Sequence, residues 1–317
     1  MNTHAYFVLV MPLAALLLDL AFGDPACLPH PVRAIGGLMN RLEHLARKTA
    51  PDSRLAGALC LGVAVGATGA AVYGLTHLTL LGPILALYFG FAGLALGTLL
   101  REGKKALSHL REGDLEKARQ RVSGLVTRDV SNLDEKGVGR ALAETLSENL
   151  NDAFVAPFFY LILAGPVGLW AYKTVSTMDS MWGYKTKKWR ALGWAPARAD
   201  DVLAFIPARI TALVMITVGL ALKLNAKAAL ARVIGDAKKS ESPNAGLPMA
   251  AAAWLLGASM GGEAVYFNKV KQKPVLGPPG KAWDHAKLKK LLRLILFSGL
   301  GAALVLYACG ALGYFWW

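Results

Sequence analysis

Between Leu55 and Leu100 the chain runs 46 residues without a single Lys, Arg, Asp or Glu. A bilayer core takes about 20 apolar residues per helical crossing. This stretch is too long for one crossing and suits a hairpin of two, over 55–77 and 80–100, broken near Gly82-Pro83. Gly62-xxx-Gly66 and Gly93-xxx-Gly97 offer small faces for close helix contact within the protein; a homo-oligomer is the weaker reading of the same faces. Residues 5–22 are apolar apart from Asp19, which suits either a cap or a polar site. No Lys or Arg precedes them, so an uncleaved first helix is expected rather than a signal peptide. The last run, 294–317, ends in Phe315-Trp316-Trp317, aromatic residues suited to a membrane interface.

Composition agrees. At 55% hydrophobic and 18% charged residues, with a mean hydropathy of +0.40, the chain is more apolar than soluble domains are. The net charge of +14 would suggest a nucleic-acid partner if its residues shared one surface. Instead the 35 Lys and Arg fall in 33–54, 101–140, 173–198, 223–239 and 269–293, with Arg209 alone inside an apolar run. That distribution excludes a nucleic-acid binder and points to a lipid bilayer as partner. Lys and Arg gather on the cytoplasmic side of membrane proteins, so 23–54 and 101–293 are expected there. The apolar runs 153–172 and 202–222 then either cross as a pair or re-enter. Crossing would put the basic stretch 173–198 outside, so re-entrant or tilted helices lining a cytoplasm-facing cavity are favoured over two ordinary crossings. A third run, 245–261, contains Pro248 and Gly257.

The expected fold is all-α: a polytopic helical membrane protein with a cytoplasm-facing helical region. Residues 1–317 form a single integral membrane domain, with 101–152 a cytoplasmic helical insertion. Within that insertion Leu115, Ala118, Val122 and Leu125 mark a helix that Asp114 can cap. Ser131-x-x-Asp134 marks the start of another. The proline-rich 23–54 reads as turns and extended segments, and 268–290 as a basic loop at the lipid headgroups. Cys27, Cys60 and Cys309 form no CxxC pair, zinc set or structural disulfide.

No GxxxxGK[ST], GxGxxG, Gly-x-Ser-x-Gly or His-Glu-x-x-His occurs, and the prolines of Gly277-Pro-Pro-Gly280-Lys281 remove the amide donors a phosphate loop needs. The chemistry must come from side chains that interrupt the apolar runs, where an isolated charge is costly and usually faces a polar interior. Glu144, Glu148 and Asp152 are four apart and share a helix face directed into the run 153–172. Arg128-Asp129, Glu148-Asn149 with Asp152, Tyr172-Lys173, Asp179-Ser180 with Gly183-Tyr184-Lys185, Asp200-Asp201 and Pro207-Ala208-Arg209 follow one another through the centre. Gly23-Asp24-Pro25 with Pro29-His30-Pro31-Val32-Arg33 precede them, and Ser242-Pro243-Asn244-Ala245-Gly246 with Gly261-Gly262 come after.

In content and order these blocks resemble the adenosylcobinamide-phosphate synthase family, integral membrane proteins of cobalamin biosynthesis. Met178, Ser176 and Leu150-Asn151 depart from the family pattern without removing an ionisable group. The resemblance implies an amide ligase of the bacterial inner membrane, multi-pass, with its active site facing the cytoplasm. It would join adenosylcobyric acid, a corrinoid, to an amino-alcohol phosphate (aminopropanol or ethanolamine phosphate), using ATP and Mg2+. On this basis Glu148, Asp152, Asp179, Asp201 and His30 are the catalytic candidates, and the same carboxylates with Asp200 the metal candidates. Arg33, Arg128, Asn149, Lys173, Ser180, Tyr184, Lys185, Arg209 and Asn244 are candidates for substrate and phosphate binding. A non-catalytic membrane sensor on the same scaffold is the alternative, disfavoured by so many convergent charges. A transporter built from broken helices is disfavoured by the lack of a two-fold repeat.

Overall fold

A computed structural model describes residues 9–25, 29–50, 52–184, 186–266 and 269–316. The helices are α1 (Met11–Phe22), α2 (Pro31–Thr49), α3 (Arg54–Thr76), α4 (Gly82–Ala92), α5 (Leu96–Arg111), α6 (Leu115–Ser123) and α7 (Glu135–Asn149). A π-helical turn (Leu150–Val155) follows, then α8 (Ala156–Trp182), α9 (Trp194–Leu203), α10 (Phe205–Ala221), α11 (Ala226–Ala237) and α12 (Pro243–Leu256). A hairpin of β1 (Met260–Tyr266) and β2 (Lys269–Leu276) precedes the last helix, α13 (His285–Trp316). By length and hydropathy, Arg54–Thr76, Gly82–Arg111, Glu135–Trp182 and His285–Gly313 are long and apolar enough to cross a membrane, and α9 with α10 makes a fifth if taken as one broken span. The protein is therefore a helical, multi-pass membrane protein. Helix α1 is shorter than a crossing; part of the expected first span, 5–8, lies outside the described residues, as does Cys27.

The chain divides into two compact units, Met1–Ala95 with Ala156–Phe205 and Val305–Trp317, and Leu96–Val155 with Ile206–Leu304. In the first, α3 packs along α8, α9 and α2. The break at Gly82-Pro83 falls where expected, between α3 and α4. The segment expected as turns is mostly the helix α2. Pro31 opens it, a position where the missing N–H costs nothing, and the His30 side chain caps it by accepting from Val32 N–H. Ile35, Met39 and Ala46 are its buried stripe. The second glycine pair is the packed one: Gly97 is buried and a Cβ at Gly93 would lie 2.1 Å from Leu169, whereas at Gly62 or Gly66 it would meet nothing within 4 Å. The α8 backbone leaves helical geometry at Ala164 and Gly165, the latter at φ 62°. Pro166 disfavours helix in the residue before it, and only glycine takes that positive φ readily.

In the second unit α5 continues past Leu100 to Arg111, because Leu96, Leu99, Leu100, Gly103, Ala106, Leu107 and Leu110 keep one buried face through the change from apolar to basic sequence. Asp114 caps α6 as expected, accepting from Lys117 N–H at 3.1 Å. Helix α7 starts at Asp134, which accepts from Gly137 N–H at 2.7 Å; Ser131 instead donates to Asp129 at 2.6 Å. The stretch expected as a loop over 268–290 begins as β2, antiparallel to β1 with Gly262 opposite Lys273 and Tyr266 opposite Lys269. It then passes into α13 at His285.

Asp236 joins α11 to α12 and to the end of the hairpin. Its carboxylate accepts from Trp254 Nε1 at 2.7 Å, Lys239 Nζ at 2.6 Å and Gly277 N–H at 2.8 Å. Burial alone raises a carboxyl pKa, but these three donors outweigh it and hold Asp236 below the usual value. A lowered folded-state pKa contributes stability that is present above the ordinary carboxylate range and is lost as pH falls through the lowered value. Asp236→Ala leaves two buried N–H groups without their acceptor, at roughly 1–3 kcal/mol each. Thermal melting of the detergent-solubilised protein should drop for this variant at neutral pH. The gap from wild type should close as the pH is taken below about 4.

Candidate functional site

The acidic face of α7 is built around a charge that cannot remain alone. Glu144 and Arg128 are each about 5% exposed and pair at 2.8 Å. The other oxygen of Glu144 accepts from Gly261 N–H at 2.7 Å. Both oxygens are thereby occupied, and Arg128 is committed to this pair inside the protein. One turn on, half-buried Glu148 feels the like charges of Asp152 and Glu144 and the opposite charges of Lys273 and Arg128. Asn149 turns back on α7, donating to Thr145 O at 3.0 Å and Thr145 Oγ1 at 2.9 Å.

Beyond Asn149 the helix widens into the π turn, a device that recurs at functional sites. Asn151, fully buried in it, donates to Asp152 Oδ1 at 2.7 Å and accepts from Thr211 Oγ1 at 3.0 Å. That one amide ties Asp152 to α10. Two residues before Thr211, exposed Arg209 donates to Asn244 Oδ1 at 3.1 Å, and Asn244 is buried in the first turn of α12. The second unit thus gathers Arg128, Glu148, Asn149, Asp152, Arg209 and Asn244 of the expected set. It adds Glu144, Asn151, Thr211, Gly261 and Lys273. Of these additions Thr211 and Lys273 carry no local sequence signal.

The first unit holds the rest. His30 Nδ1 accepts from Val32 N–H at 3.2 Å, and its Nε2 faces Asp24 Oδ1 at 3.7 Å. That hydrogen bond assigns the neutral ring's proton to Nε2. The ring lies edge-on to Trp170 at 6.3 Å, beside an apolar cavity of about 420 Å³ lined by Ile35, Leu38, Ala71, Tyr88 and Trp170. Arg33 is exposed on the first turn of α2. Half-buried Lys173 and Asp179 and exposed Ser180 follow along α8, with Ser180 Oγ donating to Thr177 O at 2.8 Å. A Cβ at Gly183 would lie 2.1 Å from Asp179 Oδ1, so only glycine lets that carboxylate fold over the helix end. Tyr184 is half-buried; Lys185 lies outside the described residues. Asp200 and Asp201 stand on α9, and Asp200 is in electrostatic reach of Tyr160, whose ring stacks on Tyr172 at 5.1 Å.

Among the described residues no three His, Cys, Asp or Glu side chains come together as a metal cluster. The Glu148 and Asp152 carboxylates are a pair. Mg2+ is commonly held by one or two carboxylates, with water and substrate phosphates as its other ligands. The donor set on α7 and the π turn fits that mode.

Helices long and apolar enough for a bilayer, interrupted by paired and hydrogen-bonded charge, define a polytopic helical membrane protein. The comparisons name the family. The model of the CobD/Cbib protein family matches residues 12–295. The cobalamin biosynthesis protein CobD of Geobacter metallireducens is 40% identical over 302 residues, covering 93% of this chain and 94% of the relative. That of Pelobacter propionicus is 40% identical over 303 residues, 94% of each, and that of Listeria monocytogenes 34% over 308, 95% of this chain and 98% of the relative. No solved structure matches. The chain belongs to the CobD/CbiB family, in agreement with the resemblance of its motifs, and its role lies in cobalamin biosynthesis.

Removing one partner of a buried ion pair costs roughly 3–5 kcal/mol because the other charge is left uncompensated. Arg128→Ala should therefore lower the melting temperature sharply, while Arg128→Met combined with Glu144→Gln, which keeps an acceptor for Gly261 N–H, recovers part of the loss. A single Arg128→Ala melting like wild type would mean that Glu144 does not depend on this guanidinium.

Proposed function

We propose that the chain catalyses ATP-dependent amide formation between a carboxylate of adenosylcobyric acid and the amine of aminopropanol phosphate or ethanolamine phosphate. The observation that carries this reading is the graded acidic face of α7. Its innermost carboxylate, Glu144, is paired with Arg128 and Gly261, and the next two, Glu148 and Asp152, lie half-buried one turn apart, with Asp152 accepting from Asn151. A carboxylate anion resists attack by an amine, so the corrinoid carboxylate takes the γ-phosphoryl group of ATP, with ADP leaving. The amine then displaces phosphate from the acyl phosphate. Glu148 and Asp152 would hold a Mg2+ ion, which would neutralise phosphate charge. Arg209, oriented by Asn244, is the guanidinium suited to a phosphate of the substrates. The attacking ammonium gives up its proton to a carboxylate of the site or to solvent.

The test is incubation of purified protein with ATP, Mg2+, adenosylcobyric acid and aminopropanol phosphate, with mass detection of cobinamide phosphate and ADP. Wild type should form both together. Glu148→Gln, Asp152→Asn, Asp179→Asn and Asp201→Asn should each lose roughly 10²–10⁴ in turnover while still inserting into membranes. No product from wild type, or near-native turnover in all four variants at limiting Mg2+, would end this reading.

We also infer an inner-membrane location with the active site facing the cytoplasm, on the strength of where Lys and Arg lie. Single cysteines at Asp52, Lys117, Lys188 and Lys271 should label from the cytoplasm only. Periplasmic labelling at Lys188 alone would make 153–172 and 202–222 ordinary crossings.

A further inference from the structure

The hairpin carries one lysine unlike its neighbours. From Lys269 to Val275 every side chain of β2 is exposed except Lys273. Lys271, two residues earlier, lies opposite Ala264 and is committed to Glu241 at 2.7 Å. Lys273 lies opposite Gly262, which presents no side chain against it. The neighbouring Gly261 is the residue whose N–H holds Glu144. Three contacts fix the ribbon over α7: that bond, Arg140 Nη2 donating to Glu263 O at 3.3 Å, and the bridge from Asp129 N–H to Val265 O at 2.9 Å. The irregularity between Met260 and Gly262 lies at this anchor. The Lys273 ammonium is 5.3 Å from the Tyr266 ring centroid and interacts electrostatically with Glu148.

We propose that Lys273 is a phosphate-binding residue of the α7 site, delivered by the hairpin to meet the phosphorylated substrate that the Glu148–Asp152 pair receives. The inference rests on the ligase reading given above and adds to it a residue from outside the motif blocks. Two carboxylates side by side repel an incoming phosphate unless positive charge answers them. A lysine beside the pair supplies a compact, mobile positive charge, the form in which lysine commonly serves phosphate. Its position explains why the chain spends a hairpin and two adjacent glycines at this place: Gly261 and Gly262 both adopt positive φ, at 85° and 83°, and so turn the strand onto the Glu144 carboxylate.

The experiment uses the full chain in lipid nanodiscs with Lys273→Ala, Lys273→Arg and Lys271→Ala. Apparent affinities for Mg-ATP and for aminopropanol phosphate are measured separately by equilibrium binding and from KM. Lys273→Ala should weaken one of the two by about ten- to a hundredfold, with kcat within about threefold of wild type. Lys273→Arg should restore most of the loss, and Lys271→Ala should bind like wild type. Unchanged affinities in Lys273→Ala overturn the proposal, as does an equal loss in Lys271→Ala, which would mark a diffuse basic surface. If wild type binds Mg-ATP but forms no amide, the ligase reading fails while the binding comparison still decides the role of Lys273. If wild type binds neither ligand, both fall.

Discussion

A buried carboxylate has to be answered by donors on both oxygens, and Glu144 imposes that requirement on the whole second unit. Leaving an ion uncompensated in an apolar interior costs several kcal/mol. Its two answers come from Arg128, ahead of α7, and from Gly261, more than a hundred residues later. The segment 124–134 must therefore return across α7, and the hairpin must dock on it. Gly261 can supply its N–H only because its backbone adopts a positive φ, which explains a glycine at this place. Asp236 repeats the arrangement on the neighbouring strand end, where Leu276 pairs with Met260, collecting Gly277 N–H and the Trp254 indole. The two carboxylates together hold the open end of the ribbon.

Along α7 the acidic groups differ in how completely they are satisfied, and that difference separates structure from chemistry. Glu144 has both oxygens in use and no capacity left for a ligand. Asp152 has one oxygen steadied by Asn151. Glu148 sits between two like charges, an arrangement that disfavours the folded chain. Unfavourable crowding retained in a folded protein is best understood as serving a ligand that relieves it, and a cation with a phosphate does so. Arg209 is the basic counterpart: it is oriented by Asn244 yet remains exposed.

Much of this was legible in the sequence where local rules govern. The Gly82-Pro83 break and the Asp114 cap follow from the behaviour of single residues. The shared face of Glu144, Glu148 and Asp152 follows from helical spacing. Local rules failed where tertiary partners decide. The prolines before α2 suggested irregular chain, although Pro31 with His30 is a helix start. The charges after Leu100 suggested a boundary, although the buried stripe of α5 runs on to Leu110. Nothing in Lys269–Leu276 alternates as a half-buried strand should, because most of the ribbon faces outward. Its pairing is set by β1 and by the anchor on Glu144. The motif blocks named most of the candidate residues, but spacing does not show that Arg128 is spent on Glu144 or that Asn151 reaches Thr211.

Irregular backbone and polar side chains coincide in this chain, and the bilayer supplies the reason. Within hydrocarbon, backbone groups freed from helical hydrogen bonds must be met by protein or enclosed water. A break in a crossing is thus stable only where polar groups are already gathered, and polar groups are tolerable only where something meets them. The π turn sits at the junction of charged α7 with apolar α8, and its Asn151 amide donates to Asp152 and accepts from Thr211. The Thr211 hydroxyl also donates to Pro207 O, a carbonyl whose usual helical partner, the Thr211 N–H, it supplements. A straight helix from Glu135 to Trp182 would satisfy its own backbone but would turn Asn151 and Asp152 to different partners. The widened turn exchanges helical regularity for the placement of one carboxylate, and that exchange is sensible only if Asp152 is wanted where it stands.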